Sequence, residues 1–244
     1  MKNIKVLVLE GGNNEEHEVS LSTSKEVKNS LLNLDIDYDV LSVFPDTFEK
    51  DISKFNPEHI CFNALHGTFG EDGRIQKILE EANFKHTHSN IKSSSISFDK
   101  ALTKKEIQGT SIIMPKSLTL DYQEIDNKTL FDIFLKFGSF VIKPISSGSS
   151  YGVKIFKDEK SIVSFLKNYD AYSEIYQKHQ ILLIEKFIEG RELSVSVVEK
   201  GGISYPVEVT EIIPNNNFFD YESKYTPGFS KHILPAQVPQ NIYD

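Results

Sequence analysis

Lys143-Pro144-Ile145-Ser146-Ser147-Gly148-Ser149-Ser150-Tyr151-Gly152 follows directly on the apolar run Phe140-Val141-Ile142. A lysine at the end of a strand, followed by a turn rich in small hydroxyl residues, suits an anion such as phosphate. The lysine supplies a point charge, and Ser146, Ser147, Ser149 and Ser150 supply hydroxyls. Gly148 and Gly152 let backbone N–H groups come close to the anion. The segment is not a G-x-x-x-x-G-K-[ST] loop, because its lysine precedes the glycines, and no G-x-G-x-x-G opens a helix here. Val153-Lys154-Ile155-Phe156 reads as a second strand. The predicted arrangement is therefore a hairpin lid over a nucleotide, although the same residues alone also read as an ordinary Ser/Gly hairpin.

Other residues extend this chemistry. Lys100, in Asp99-Lys100-Ala101-Leu102-Thr103-Lys104, is a second cation on a separate element. With Lys143 it could clamp phosphate oxygens. Both could also be surface lysines, but Lys143 stands between Ile142 and Pro144. Glu185-Lys186-Phe187-Ile188 fits a purine slot, with extended backbone for the ring edge and apolar side chains for its face. Glu15, Glu16 and Glu18 form an acidic cluster of the kind a helix start favours.

These groups need elements to hold them. Lys5 to Leu9 is a continuous apolar run, as in a parallel strand covered on both faces. Gly11-Gly12 breaks it, and a helix follows with Val27, Leu31 and Leu34 on one face. Thr23 and Glu26 have capping-box spacing within it. Tyr38 to Val43 and His59 to Asn63 read as strands, and Ile75, Ile78, Leu79 and Ala82 mark an amphipathic helix. Alternating strands and helices predict an open α/β sheet. Ser93-Ser94-Ser95 marks a composition shift, with a helix through Phe98, Ala101 and Leu102 after it and Pro115 ending that stretch. Beyond the lid, Ile162, Phe165, Leu166 and Tyr169 predict a helix from Asp158. From Ile181 the pattern becomes antiparallel strands, with Gly201-Gly202 as a two-residue turn. A polar, irregular loop is predicted over 215–231. The expected units are 1–90, 91–180 and 181–244.

Composition bounds the function. Hydrophobic residues make up 39% and charged ones 25% of 244 residues, as in soluble globular domains. The formal net charge of −8 argues against a nucleic-acid partner. Cys61, the single cysteine, cannot form an intramolecular disulfide, so a reducing, cytoplasmic setting is expected. It sits in an apolar run as a small core residue would. No apolar stretch approaches the ~18 residues of a membrane span, so no membrane partner is expected.

Taken in order, five groups resemble the D-alanine–D-alanine ligase family of the ATP-grasp superfamily. They are Gly11-Gly12 through Leu21, Ala64-Leu65-His66-Gly67 with Gly70-Glu71-Asp72-Gly73, Asp99 to Lys104, Lys143 to Ser150, and Ile184 to Glu192 with Phe219 to Tyr225. The resemblance runs from about residue 4 to residue 239. It implies an N-terminal Rossmann-like α/β domain followed by the two α+β lobes of an ATP grasp. The implied reaction joins two D-alanines through an acylphosphate, for peptidoglycan precursors. Lysines matching Lys100 and Lys143 contact nucleotide phosphates. Glu185 to Ile188 match the adenine slot, and Glu192 the ribose carboxylate, although a solvated strand carboxylate reads the same way. Glu16 matches the residue receiving the first D-alanine's ammonium. His66 matches a histidine beside that D-alanine's carboxylate, although it could be structural. Ser149 matches a catalytic and substrate-binding residue, and Ser150 one that binds substrate and nucleotide. Lys224 and Tyr225 lie on the loop that closes over the phosphates, with the tyrosine directed toward Ser149 and Glu16. Family members that join D-alanine to D-lactate tend to lack that tyrosine, so the ligases for D-lactate or D-serine stand as the alternative within the fold. A non-catalytic nucleotide-binding remnant of the same fold is the alternative of another functional class. A homodimer through the N-terminal domain is common in the family.

The resemblance also implies Mg²⁺ or Mn²⁺ on a D…E-x-N pattern. That pattern is expected beyond residue 244, which leaves the second lobe incomplete and the activity of these residues alone in question. The sequence ends at Ile242-Tyr243-Asp244, where a helix is expected to begin.

Overall fold

A computed structural model describes residues 4–216 and 218–243. Three sheets follow one another along the chain. The first comprises β1 (Lys5–Gly11), β2 (Asp37–Val43), β3 (Ile60–Asn63) and β4 (Lys85–His86), ordered β2-β1-β3-β4 with parallel pairings. Helices α1 (His17–Asn33), α2 (Phe48–Ile52) and α3 (Arg74–Glu81) connect its strands. Successive side chains of a strand face opposite sides, and β1 uses both. Leu7 and Leu9 pack with Phe48, Ile52, Ile75 and Leu79, whereas Val6 and Val8 pack with Leu31 and Ala64. This two-sided burial is why the run is apolar without alternation.

Helices α4 (Ile91–Phe98) and α5 (Lys100–Glu106) lead into the second sheet. It comprises β5 (Ser117–Asp121), β6 (Phe140–Pro144), β7 (Lys154–Phe156) and β8 (Ile181–Lys186), ordered β5-β8-β6-β7 and antiparallel throughout. Helices α6 (Asn127–Phe137), α7 (Glu159–Lys167) and α8 (Asp170–His179) complete this unit. Their apolar faces enclose Phe140, Ile142, Phe156, Phe165, Tyr176 and Ile184 in the largest buried cluster. Phe140 and Phe156 stack at 4.6 Å, and Phe165 meets Phe156 edge-on at 5.1 Å. The third sheet orders β11 (Ser230–Ile233), β10 (Ile203–Pro214) and β9 (Glu192–Lys200) as β11-β10-β9. Its β9–β10 turn is Gly201-Gly202, with φ of 62° and 78°, a conformation glycine adopts without a Cβ penalty.

Several expectations need correction. The helix expected through Phe98 to Leu102 is two helices, broken at Asp99. That residue has extended φ and ψ, and its carboxylate accepts the N–H groups of Ala101 and Leu102, as an N-cap does. Ser93 to Ser95 lie inside α4, whose Asn90 cap accepts from the Ser93 N–H. Thr23 and Glu26 do not cap α1, which begins at His17. Strand β8 begins at Ile181, the expected start of the third unit, yet it pairs inside the second sheet between β5 and β6. The stretch expected to be irregular over 215–231 holds a short helix, α9 (Tyr221–Tyr225), and the start of β11; Asn217 lies outside the described residues. A final turn, α10 (Gln240–Tyr243), starts just before the expected point, and Asp244 lies outside the described residues. Among the described residues, no helix is long and apolar enough to cross a membrane.

The fold sets the site by strand direction. The carboxyl ends of β1 and β3 deliver the loops before α1 and α3 to one edge of the first sheet, the edge where open α/β sheets bind ligands. The β6–β7 loop reaches that edge from the second sheet.

Phe165 is nearly fully buried and touches four aromatic rings. Phe165→Ala is expected to lower stability by about 3–5 kcal/mol, read as a shift of the urea midpoint. A shift below about 1 kcal/mol would show that the aromatic cluster does not hold the second unit.

Candidate active site

Glu16 ends the loop after β1 and is buried, with 3% of its surface exposed. Three segments converge on its carboxylate. The Ser149 hydroxyl donates to Oε1 in a short hydrogen bond. The Tyr225 hydroxyl lies 3.4 Å from the same oxygen and shares a short bond with the Ser149 hydroxyl. Gly148 crowds the other oxygen: a Cβ built there would sit 2.7 Å from Oε2. A side chain on Gly67 would also collide with Oε2. Both glycines are needed for space around one carboxylate. Burial pushes the Tyr225 phenol up, opposed by its bond to Ser149, so the hydroxyl is a proton donor at neutral pH.

Asn14 fixes the loop that carries Glu16. Its Oδ1 accepts the Glu16 N–H at 2.8 Å, and its Nδ2 donates to the His66 and Thr68 carbonyls at 2.8 and 2.9 Å. One side chain thus ties the β1 loop to the β3 loop. His66 is oriented from two sides, by Thr23 Oγ1 at 2.8 Å from Nε2 and by Glu71 at 3.6 Å from Nδ1. The Glu71 carboxylate, working against burial, raises the His66 pKa. An aspartate or asparagine that bonds two residues ahead is a known turn device, so Asn14 in Gly11-Gly12-Asn13-Asn14 carried a signal as a turn residue, one that Asn13 shares. Nothing in the spacing of Thr23 pointed to His66.

The lid follows the expected hairpin, but its strain falls on different residues. Ser149 and Ser150, not Gly148, occupy left-handed backbone, with φ of 50° and 60°. Each costs a non-glycine residue about 1–2 kcal/mol. Side-chain bonds hold them there: Ser149 to Glu16, and Ser150 to the Phe219 carbonyl at 2.8 Å. The lid is therefore docked at once on the first unit and on the 218–225 segment.

Behind the lid lies a cleft of ≈ 380 Å³. Lys100, Lys143 and Lys224 line it, together with Val141, Ile155, Phe187 and Glu192. Three ammonium groups around one cavity suit a polyanion. Burial, then the nearby Lys143 charge, bring the Lys100 ammonium down to about 8. Burial also lowers Lys224. Lys100 donates to the Ser147 carbonyl at 2.7 Å and so touches the lid backbone. Lys143 pairs with Glu185 in a short ion pair, and Lys104 holds the other oxygen of that carboxylate at 2.8 Å.

The 185–188 segment departs from expectation. Glu185 is buried, and its side chain turns to the two lysines. The Lys186 N–H donates to the Lys116 carbonyl and the Phe187 N–H to the Ser139 carbonyl, so sheet pairing takes both donors. Lys186 and Ile188 are exposed, and only Phe187 of the four lines the cleft. Those two N–H groups at the end of β8 are therefore already paired, whereas the expected slot used the backbone of the whole segment.

A family model described as "D-ala D-ala ligase C-terminus" matches residues 113–244. The chain is 36% identical to a D-alanine–D-alanine ligase of Wolbachia sp. subsp. Brugia malayi (strain TRS), over 99% of this chain and 71% of that protein. It is 38% identical to the ligase of the same description from Pelagibacter ubique (strain HTCC1062), over 97% of this chain and 74% of that one. The solved D-alanine–D-alanine ligase from Bacillus anthracis matches with a TM-score of 0.72 and 30% identity, over 98% of this chain and 74% of that one. A structure of the Bacillus anthracis ligase complexed with ATP matches with a TM-score of 0.71 and 26% identity, over 99% and 74% of the respective chains.

The Asn14 geometry gives a direct test. Asn14→Ala removes three hydrogen bonds, two of them between the β1 and β3 loops, and is expected to cost roughly 2–4 kcal/mol. Asn13→Ala, at an exposed neighbour, should change stability by no more than about 0.5 kcal/mol. Equal denaturation midpoints for the two variants would show that the loops are held some other way.

Proposed function

The chain belongs to the D-alanine–D-alanine ligase family, and from that premise we propose how its cleft joins two D-alanines with ATP. The observation that carries the reading is the buried Glu16 carboxylate, bonded to the lid serine and to Tyr225 beside a cleft lined by three lysines. Glu16 receives the ammonium of the first D-alanine, a charge that a buried carboxylate matches. His66, held by Thr23 and Glu71, faces that substrate's carboxylate. Its raised pKa favours the imidazolium, the form that attracts an anion.

The first step transfers the terminal phosphoryl group of ATP to the carboxylate oxygen, giving an acylphosphate and ADP. Lys100, Lys143 and Lys224 stabilise the charge on the moving group. Lid backbone N–H groups near Ser149 and Ser150 add neutral donors. The amine of the second D-alanine then attacks the acyl carbon, the new amide forms, and phosphate leaves. Activation is needed because a carboxylate is a poor electrophile. Phe187, Val141 and Ile155 supply an apolar face for adenine, and Glu192 lies in reach of ribose hydroxyls. Tyr225 closes the site against Ser149 and favours an amine acceptor over D-lactate.

Mg²⁺ or Mn²⁺ belongs with ATP in this proposal. Among the described residues, no group of three or more His, Cys, Asp or Glu is arranged to hold a metal ion. These residues do not make that site, and no step above runs through it. Pairing of two copies through the first unit belongs to the same proposal; Leu32, Leu34 and Phe44 are exposed on that unit. Use of ATP, and a lone cysteine buried in the first unit, support a cytoplasmic setting.

The test is formation of D-alanyl-D-alanine and release of phosphate from D-alanine and ATP with Mg²⁺ present. Lys143→Ala is expected to weaken ATP binding by about 1.5–3 kcal/mol. Lys154→Ala should have little effect, because Lys154 lies over the Tyr172 ring instead of in the cleft. Equal ATP affinities by calorimetry would remove Lys143 from the phosphate site.

Lys100 makes the binding pH-dependent. Its free pKa of about 8 lies below the usual lysine value, and bound phosphate raises it. Between the free and bound values ATP binding takes up a proton, so affinity falls as pH rises through about 8. Titrations in buffers of different ionisation enthalpy should show that uptake, and Lys100→Met should reduce it. Proton uptake unchanged in Lys100→Met would assign the effect to another group.

A further inference from the structure

Lys143 can hold phosphate only if it can let go of Glu185. Glu185 is buried, and a buried carboxylate that loses its sole counterion is strongly destabilising. With one partner, Glu185 would compete with the nucleotide for Lys143. It has two. Lys104 Nζ lies 2.8 Å from Oε1, and Lys143 bonds Oε2. Lys104 also donates to the Pro115 carbonyl at 3.0 Å, so two acceptors on different elements fix its ammonium. It does not line the cleft, whereas Lys143 does.

The placement follows from register and helix period. Val141 on β6 lies opposite Glu185 on β8, so Lys143, two residues on, is its diagonal neighbour on the same sheet face. Lys100 and Lys104 stand one turn apart on α5 and share a face. The first reaches the lid backbone and the second reaches the carboxylate. Burial opposes ionisation of Glu185, but the hydrogen bonds and charges of Lys104 and Lys143 outweigh it and keep the carboxyl below its usual range.

We propose that Lys104 is a positioning residue: it keeps the Glu185 carboxylate paired when Lys143 turns from Glu185 to a nucleotide phosphate. This rests on the reading that the cleft takes ATP. Lys104 never touches the nucleotide; it acts by making the exchange of partners at Lys143 nearly neutral. Glu185 in turn stores the Lys143 ammonium in place until the nucleotide arrives.

The test is a double-mutant cycle read by ATP titration calorimetry on the whole chain, with thermal melting of each variant as the check on folding. Lys104→Met removes the charge but keeps the stem. Lys143 then becomes the sole counterion of Glu185, and the Kd for ATP should rise on the order of tenfold or more. Adding Glu185→Gln removes the carboxylate that captures Lys143, and the Lys104→Met effect in that background should fall below about threefold. Lys104→Arg should retain most of the affinity. If Lys104→Met does not fold, Lys104→Gln, whose amide can still reach the Pro115 carbonyl, takes its place in the cycle. An unchanged Kd in the single variant, or an equal loss with and without Glu185→Gln, would overturn the proposal. Absence of ATP binding by the unmodified chain would overturn the nucleotide reading, and the proposal with it.

Discussion

The site is organised by one buried carboxylate. Glu16 comes from the loop after β1, yet its partners come from the β6–β7 loop and from α9, which lie 133 and 209 residues away in sequence. A carboxylate removed from water needs hydrogen bonds to offset its desolvation. Here those bonds are Ser149 and Tyr225, so the need to satisfy Glu16 is also what docks the lid and the 218–225 segment on the first unit. The left-handed backbone at Ser149 and Ser150 makes sense in this light. It is unfavourable alone and persists because the docked side chains require it.

Around this point the structure separates two kinds of charge. The side holding Glu16 and His66 sets a buried carboxylate near an imidazole whose pKa the Glu71 carboxylate raises. The cleft behind the lid carries Lys100, Lys143 and Lys224 on a chain whose formal net charge is −8. Locally concentrated positive charge on an acidic protein is a site, not a general basic face. Burial first, and then the neighbouring Lys143 charge, bring the Lys100 ammonium down, and Glu185 offsets part of the Lys143 charge. The lid stands between the two sides, bonded to Glu16 on one and lining the lysine cleft on the other.

Rigidity and mobility divide along the same lines. The second unit packs around a continuous aromatic cluster under β6 and β8, which holds Lys143 and Glu185 on adjacent strands of one sheet. The lid is tied down by the Ser149 and Ser150 hydroxyls, by the Lys100 ammonium on the Ser147 carbonyl and by the Tyr176 hydroxyl on the Gly152 carbonyl. Ligand-binding loops held by polar bonds are generally drawn from the less stable part of a protein. The Lys178–Glu15 ion pair, 3.0 Å long, adds a second polar link between the first and second units.

Much of this was legible in the sequence. The apolar run at β1, the helical spacing in α3 and α7, the Gly201-Gly202 turn and the hairpin around Lys143 are local patterns, and local patterns survive without coordinates. Ordered motifs were enough to point to the family, and with it to Glu16, Ser149, Tyr225 and the lysines. Long-range pairing outside those motifs was not legible. Strand β8 could be read as a strand, but not as the middle of the second sheet, and that membership turns Glu185 toward Lys104 and Lys143 and uses the Lys186 and Phe187 N–H groups. Thr23 had the spacing of a cap, but the helix started earlier and its hydroxyl met His66 instead. The sequence by itself determined residue types, periodicities and the order of motifs, because these are properties of short stretches of chain. Only the tertiary structure decided which buried polar groups face one another, because a buried charge takes whichever partner the packing brings within hydrogen-bond distance.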